Sequence, residues 1–160
     1  MPTRPDRPSG PVLVAIDFSP FSENALVWGG YAARSFDARL VALHVVHDPG
    51  SAPGYYERAK KRKKHLVRIE EAASEMMSEF LEEMREKHPE LPKKLEHRLV
   101  VGLPITRILE VADDIGAQLI VMGSRGRTGL PFALLGSKAE KVAQLSSVPV
   151  TIVKNSGQGE

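Results

Sequence analysis

Hydrophobic and polar positions along this chain fall into two alternating kinds of segment. Val12-Leu13-Val14-Ala15-Ile16 is an aliphatic run with no polar alternation, as expected of a strand covered on both faces. It stops at Asp17-Phe18-Ser19-Pro20, where the serine hydroxyl can accept an orphan backbone N–H and proline suits the first helical position. A helix is predicted over about 20–35, with Ala25, Trp28 and Ala32 turned inward. Its Gly29-Gly30 pair weakens it by about 1 kcal/mol per glycine, and close packing on a sheet accounts for them. Leu40 to Val46 is a second buried strand, running into a turn-rich stretch from His47 to Gly54.

The longest periodic segment spans about 55–87. Leu66, Ile69, Ala73, Met76, Phe80 and Met84 recur every three or four residues, one apolar stripe of an amphipathic helix, and His88-Pro89 ends it. Further strands are predicted at 96–101, 119–122 and 148–153, with helices at 104–115 and 137–145. Pro104 at one helix start and Gly116 past its end follow the usual asymmetry of helix termini. Five strands alternating with four helices predict an α/β fold, an open five-stranded parallel sheet with helices on both faces and right-handed crossovers. Such sheets bind ligands beyond the carboxyl ends of their strands, where strand order reverses. The loops after the first, second and fourth strands are therefore the places for a site.

Composition narrows the classes. At 160 residues, with 42% hydrophobic and 26% charged side chains, the chain has enough apolar surface for one globular domain. We expect that domain at 12–154, between flexible tails at 1–11 and 155–160. The absence of cysteine excludes disulfide scaffolds, thiolate metal sites and thiol nucleophiles. A formal net charge of +2 gives no reason to make nucleic acid the main partner. No apolar run reaches the roughly 18 residues of a membrane span, and the polar, proline-punctuated start lacks a signal-peptide core. The expectation is a soluble, cytoplasmic protein with no membrane partner.

Candidate chemistry lies after the fourth strand, in the run from Gly123 to Lys138. A phosphate needs backbone N–H groups aimed at its oxygens. Glycine allows close approach, and a following helix N-terminus adds free amides and a favourable dipole. Gly126 can supply the approach, Gly136 and Ser137 the helix-terminal donors, and Ser137 a hydroxyl as well. Neither GxxxxGK[ST] nor a strand-following GxGxxG is present. On composition alone the loop is either an anion cradle or a series of turns.

The spacing Gly-x2-Gly-x9-Gly-Ser, formed by Gly123, Gly126, Gly136 and Ser137, is similar to the nucleotide-binding signature of the universal stress protein family. The surrounding segments LIVMGSRGRTG and LLGSKAEKVAQLSSVPVTIVK resemble that family, as do the opening VLVAIDFSPFSENAL, the LHVV strand and VVGLPITRILEVADDIGAQLIVMG. The resemblance runs from about Val12 to Lys154.

It implies an open Rossmann-like sheet of the adenine nucleotide alpha hydrolase-like kind, ATP as ligand, and a homodimer through the last strand. By position, Asp17 corresponds to the aspartate that contacts ribose and Val45 to the residue whose backbone meets adenine. Ala15 and Ile16 lie beside the same pocket, and Met122 and Gly123 lie near base and ribose. Gly126, Gly136, Ser137 and the backbone of Lys138 match phosphate-contacting positions. An ionised carboxylate is acceptor-only, so Asp17 suits ribose hydroxyls; its alternative role is a charge at the helix start. Arg125 and Arg127 either neutralise triphosphate charge or are solvated loop cations. Mg²⁺ would arrive on the triphosphate, held by phosphate oxygens and water; no dedicated metal site and no catalytic residue is predicted. The function implied is a nucleotide-responsive stress regulatory or protective module. The alternatives are a slow ATP-hydrolysing enzyme, against which stand the missing general base and Walker-type lysine, and a nucleotide-free interaction module.

Three features fall outside that reading. His44 is expected to be a packed strand histidine. The cations of 58–64 precede a run of glutamates on the same helix, which reads as a two-toned solvated surface. Leu130 to Leu135 is unusually apolar for a loop and either covers the phosphate site or joins an interface.

Overall fold

The computed structural model describes residues 9–47, 55–125 and 135–155, with side chains throughout except at 55–65. The elements in chain order are β1 (Val12–Ala15), α1 (Pro20–Phe36), β2 (Leu40–His47), α2 (Tyr55–Lys87), β3 (Leu95–Gly102), α3 (Pro104–Asp114), β4 (Leu119–Gly123), α4 (Ser137–Leu145) and β5 (Val150–Val153). All neighbouring strands pair in parallel, in the order β3-β2-β1-β4-β5. Strand order therefore reverses at β1, with β2 on one side and β4 on the other.

Successive strand residues face opposite sides, and the two faces bury different helices. Val12 and Val14 of β1 pack with Leu26 and Ala33 of α1 and with Met77, Phe80 and Met84 of α2. Leu13 between them packs with Ile108 and Val111 of α3 and Val142 of α4. Each fully buried leucine or valine contributes roughly 1.5–3 kcal/mol relative to exposure, so both layers are needed to stabilise so short a central strand.

The start of α1 is built as its sequence suggests. Ser19 is extended (φ −79°, ψ 164°) and its hydroxyl accepts the Ser22 N–H at 3.3 Å, with Pro20 opening the helix. The helix ends at Asp37, which adopts a left-handed conformation and donates its N–H back to the last turn. Gly29 faces the sheet so closely that a Cβ there would stand 2.4 Å from Val14 Cγ2. That contact is the reason for a helix-weakening residue at this position.

Trp28 was expected to face inward and does not: it is 57% exposed. The inward face of α1 is carried by Ala25, Leu26, Gly29, Gly30 and Ala33, with glycine at the position where the helix meets Val14 of β1. Trp28 makes an edge-to-face contact with Tyr31 at 5.7 Å instead. As the single tryptophan, it should be readily quenched by iodide in the native protein, and nucleotide should leave that quenching unchanged. A protected indole would contradict this placement.

The stripe on α2 is rotated from the expected one. Met76 is 39% exposed, while Met77 and Leu81 join Ala73, Phe80 and Met84 in the core. At 1.5 Å per residue α2 is about 50 Å long, against about 26 Å for the eight-residue strands it follows. Among its described side chains, those that are buried run from Ala73 to Met84. β5 begins at Val150 rather than Val148, although the Pro149 carbonyl still accepts the Ile120 N–H at 3.0 Å. Before β1, the Pro11 carbonyl accepts the Gln118 N–H at 3.0 Å.

Candidate functional site

A cleft of about 840 Å³ opens at the carboxyl ends of β1, β2 and β4, where strand order reverses. Of the twelve residues predicted to surround a nucleotide, Ala15, Ile16, Asp17, Val45, Met122, Gly123, Arg125, Gly136, Ser137 and Lys138 line it. Gly126 and Arg127 lie outside the described residues, as does most of the apolar 130–135 segment, of which Leu135 lines the cleft.

The β2 side offers backbone. Leu43 directs its carbonyl toward β1, accepting the Ile16 N–H at 2.7 Å. Hydrogen-bonding direction alternates along a parallel strand, so Val45 also turns its N–H and C=O toward the β1 side. β1 has ended by that level, and among the described residues neither group takes a backbone partner there. An amide donor and a carbonyl acceptor side by side, flanked by Ile69 and Met76 of α2 and Ile108 of α3, suit the edge of a planar heterocycle. His44, pointing the other way along β2, has Nδ1 2.7 Å from the Ile16 carbonyl. A carbonyl only accepts, so Nδ1 carries the proton, and the ring is held 4.4 Å from that of Phe18.

The centre of the cleft, at the end of β1, holds a carboxylate. Asp17 Oδ1 accepts from the Ser22 hydroxyl at 2.6 Å and the Ser19 N–H at 3.0 Å, and the Asp17 N–H donates to Ser22 Oγ at 2.8 Å. The aspartate thus braces the start of α1 while lining the cleft, and both of its expected roles are compatible with one geometry. Phe18 follows at φ 64°, a conformation that costs a bulky residue about 1–3 kcal/mol. Its ring contacts with His44 and Phe80, the latter at 5.7 Å, hold it there.

The β4 side is rich in donors. α4 begins at Ser137, and its first helical backbone bond is from Glu140 to the Gly136 carbonyl. The amides of Ser137, Lys138 and Ala139 precede that bond, have no side-chain cap among the described residues, and belong to cleft-lining residues. Unpaired first-turn amides carry the positive end of the helix dipole. One expected donor is lost: the Gly136 N–H bonds the Ser124 carbonyl at 2.6 Å, which anchors the helix start to β4. Gly123 also has a structural reason, since a Cβ there would meet Phe21 Cβ at 2.7 Å and the Phe21 carbonyl oxygen at 3.0 Å.

Among the described residues no three or more His, Asp, Glu or Cys side chains are grouped to hold a metal ion, and no helix is long and apolar enough to cross a membrane.

The model of the universal stress protein family matches residues 9–154. The chain belongs to that family. It is 36% identical over 146 residues to the universal stress protein YxiE of Bacillus subtilis (strain 168), a match covering 89% of this chain and 97% of that one. It is 35% identical over 144 residues to a universal stress protein of Mycolicibacterium smegmatis, covering 90% of this chain but only 45% of that longer protein. Among solved structures, a universal stress protein in complex with cAMP superposes with a TM-score of 0.66 at 25% identity, covering 92% of this chain and 98% of the other.

Other cleft residues of this family member were not legible in the sequence. Phe18, Ser22, His47, Ile69, Ala72, Met76, Pro104 and Glu140 line it too. The apolar stripe of α2 predicts a buried Met76, and the aromatic wall at Phe18 depends on a positive φ that no residue type there announces. Among the described side chains of α2 the buried stripe starts at Ala73 rather than Leu66.

Proposed function

We propose that this protein binds an adenine nucleotide, with ATP as the preferred form, and acts as a nucleotide-responsive module in stress regulation or protection. One observation carries the reading: the order of chemistry across the cleft. Among the described residues, strand backbone without a backbone partner lies beside apolar side chains at β2, a carboxylate at β1, and first-turn helix amides without a cap at α4, with Lys138 and Arg125 near them. That order matches base, ribose and phosphate. Neighbouring strands are about 4.8 Å apart, so the three groups span about the distance that separates a purine from its phosphates. The cAMP complex of a structural relative supports an adenine nucleotide on this fold.

A carboxylate that accepts from ribose hydroxyls favours a ribose with both hydroxyls free, and a row of amides favours more phosphate charge. The expected affinity order is ATP above AMP above cAMP. Mg²⁺ would be held mainly by the triphosphate. The regulatory effect would be a population shift, with bound nucleotide ordering the loop between β4 and α4 in one state. Calorimetric titration with the three ligands tests the reading, together with Gly126→Val, whose side chain should obstruct phosphate approach and abolish the preference for ATP. Equal binding by Gly126→Val and wild type would remove the proposed phosphate site. Intact nucleotide after prolonged single-turnover incubation separates this reading from a hydrolase.

A further inference from the structure

Helix α2 carries two adjacent apolar stripes with different surroundings. Met77, Phe80, Leu81 and Met84 pack in the core with Val12 and Val14 of β1. Ile69, Ala72, Ala73 and Met76, at helical spacings of three, four and seven, line the cleft instead. Consecutive helical residues lie about 100° apart around the axis, so Met77 enters the core while Met76 stands at the cleft wall, 39% exposed. Among the described residues no other methionine combines solvent access with a place in that wall. Met77 and Met84 are core residues, and Met122, which also lines the cleft, is buried. The chain has no cysteine, so no thiol of its own competes for an oxidant.

We propose that Met76 is an oxidation site through which a hydroperoxide lowers the affinity of the cleft for nucleotide. The proposal rests on the adenine-nucleotide reading above, in which the base meets the Val45 backbone beside Ile69 and Met76. With hydrogen peroxide, a sulfur lone pair attacks one peroxide oxygen, an S–O bond forms and the O–O bond breaks. The proton of the transferred oxygen passes to the departing hydroxide, which leaves as water. Sulfur loses two electrons and the peroxide gains them, and the product is methionine sulfoxide. A polarisable apolar wall thereby becomes a strong dipole. In the open cleft water solvates the sulfoxide oxygen. Under a bound base it is enclosed with Ile69, Ala72 and Ile108, whose side chains have no hydrogen-bond donor. Burying an unpaired polar group is costly, so oxidation penalises the liganded state and spares the empty one.

Hydrogen peroxide treatment of the full chain tests this, followed by peptide mapping with fragmentation that separates Met76 from Met77. One oxygen should be added at Met76 while Met77, Met84 and Met122 stay reduced, and saturating ATP should slow that addition by covering the sulfur. Calorimetry on the oxidised protein should show ATP and adenosine both bound about tenfold more weakly, because the loss lies at the base and not at the phosphates. Methionine sulfoxide reductases should restore the original affinity, a readout that needs no variant. Met76→Leu, whatever its own affinity, should bind ATP equally before and after peroxide. A Met76 that stays reduced overturns the proposal, as does an oxidised Met76 with unaltered ATP affinity, or a Met76→Leu protein weakened by peroxide as much as the wild type. In those cases untreated wild type still binds nucleotide and the reading of the cleft stands. Untreated protein that binds no adenine nucleotide overturns both.

Discussion

Gly29→Val is expected to cost about 3 kcal/mol of folding stability, a large share of the 5–15 kcal/mol typical of a domain. The reason is the distance between α1 and β1. A Cβ at position 29 would stand 2.4 Å from Val14 Cγ2, and 3.4 Å from Leu40 Cδ1. Val14 and Leu40 are both fully buried, and Val14 sits in the central strand paired on both sides, so neither has room to retreat. Valine gains about half a kilocalorie in helix propensity over glycine, far less than the overlap costs. Urea unfolding gives the loss as a shift in midpoint at constant slope. The mechanism has its own signature. Val14→Ala removes the obstructing methyls and alone should destabilise by about 1–3 kcal/mol. Combined with Gly29→Val, the total loss should be smaller than the two single losses together by about 1 kcal/mol or more. Strict additivity would mean that steric conflict with Val14 is not the cause.

Ser137→Pro should reduce ATP affinity about 10- to 100-fold while leaving the fold intact, the loss of one charge-assisted hydrogen bond being worth about 1.5–3 kcal/mol. Position 137 is the first residue of α4, where an amide has no helical acceptor and proline is well tolerated. The residue before it, Gly136, is extended at φ −65° and ψ 149°, the conformation that a following proline requires. The substitution thus deletes a donor to the cleft without deleting a bond of the helix. Ser137→Ala controls for the hydroxyl and should retain most of the affinity. Adenosine, which has no phosphate, should bind Ser137→Pro and wild type alike. An unchanged thermal midpoint with weakened ATP binding and intact adenosine binding is the expected result from calorimetry and thermal melts. Undiminished ATP affinity would place the phosphate elsewhere.

The two predictions rest on different amounts of sequence information. The alternation of aliphatic runs with amphipathic stretches determined the α/β class, because burial on both faces and burial on one face leave different periods in a chain. Ser19, Pro20, Pro104 and Gly116 marked helix ends, since capping chemistry is local. The glycines at 123 and 136, and the family resemblance at Asp17 and Val45, pointed to residues that line the cleft, while Gly126 lies outside the described residues. Side-chain direction was less legible. Trp28 and Met76 are apolar at positions compatible with a buried stripe, yet hydrophobicity does not report how near a helix axis lies to its sheet. Gly29 sets that distance on α1 and turns Trp28 out; the start of the buried stripe at Ala73 turns Met76 toward the cleft.

By itself, then, the sequence determined the elements, their class and the family, all of which follow from residue type and spacing along one dimension. Tertiary structure decided which backbone groups are spent and which are left over. Gly136, a predicted donor, gives its amide to the Ser124 carbonyl; among the described residues Val45 retains its own, because β1 ends two residues too early to pair with it. Those outcomes depend on strand register and on where each strand stops relative to its neighbours. No local pattern encodes them, because each is a property of two segments far apart in the chain.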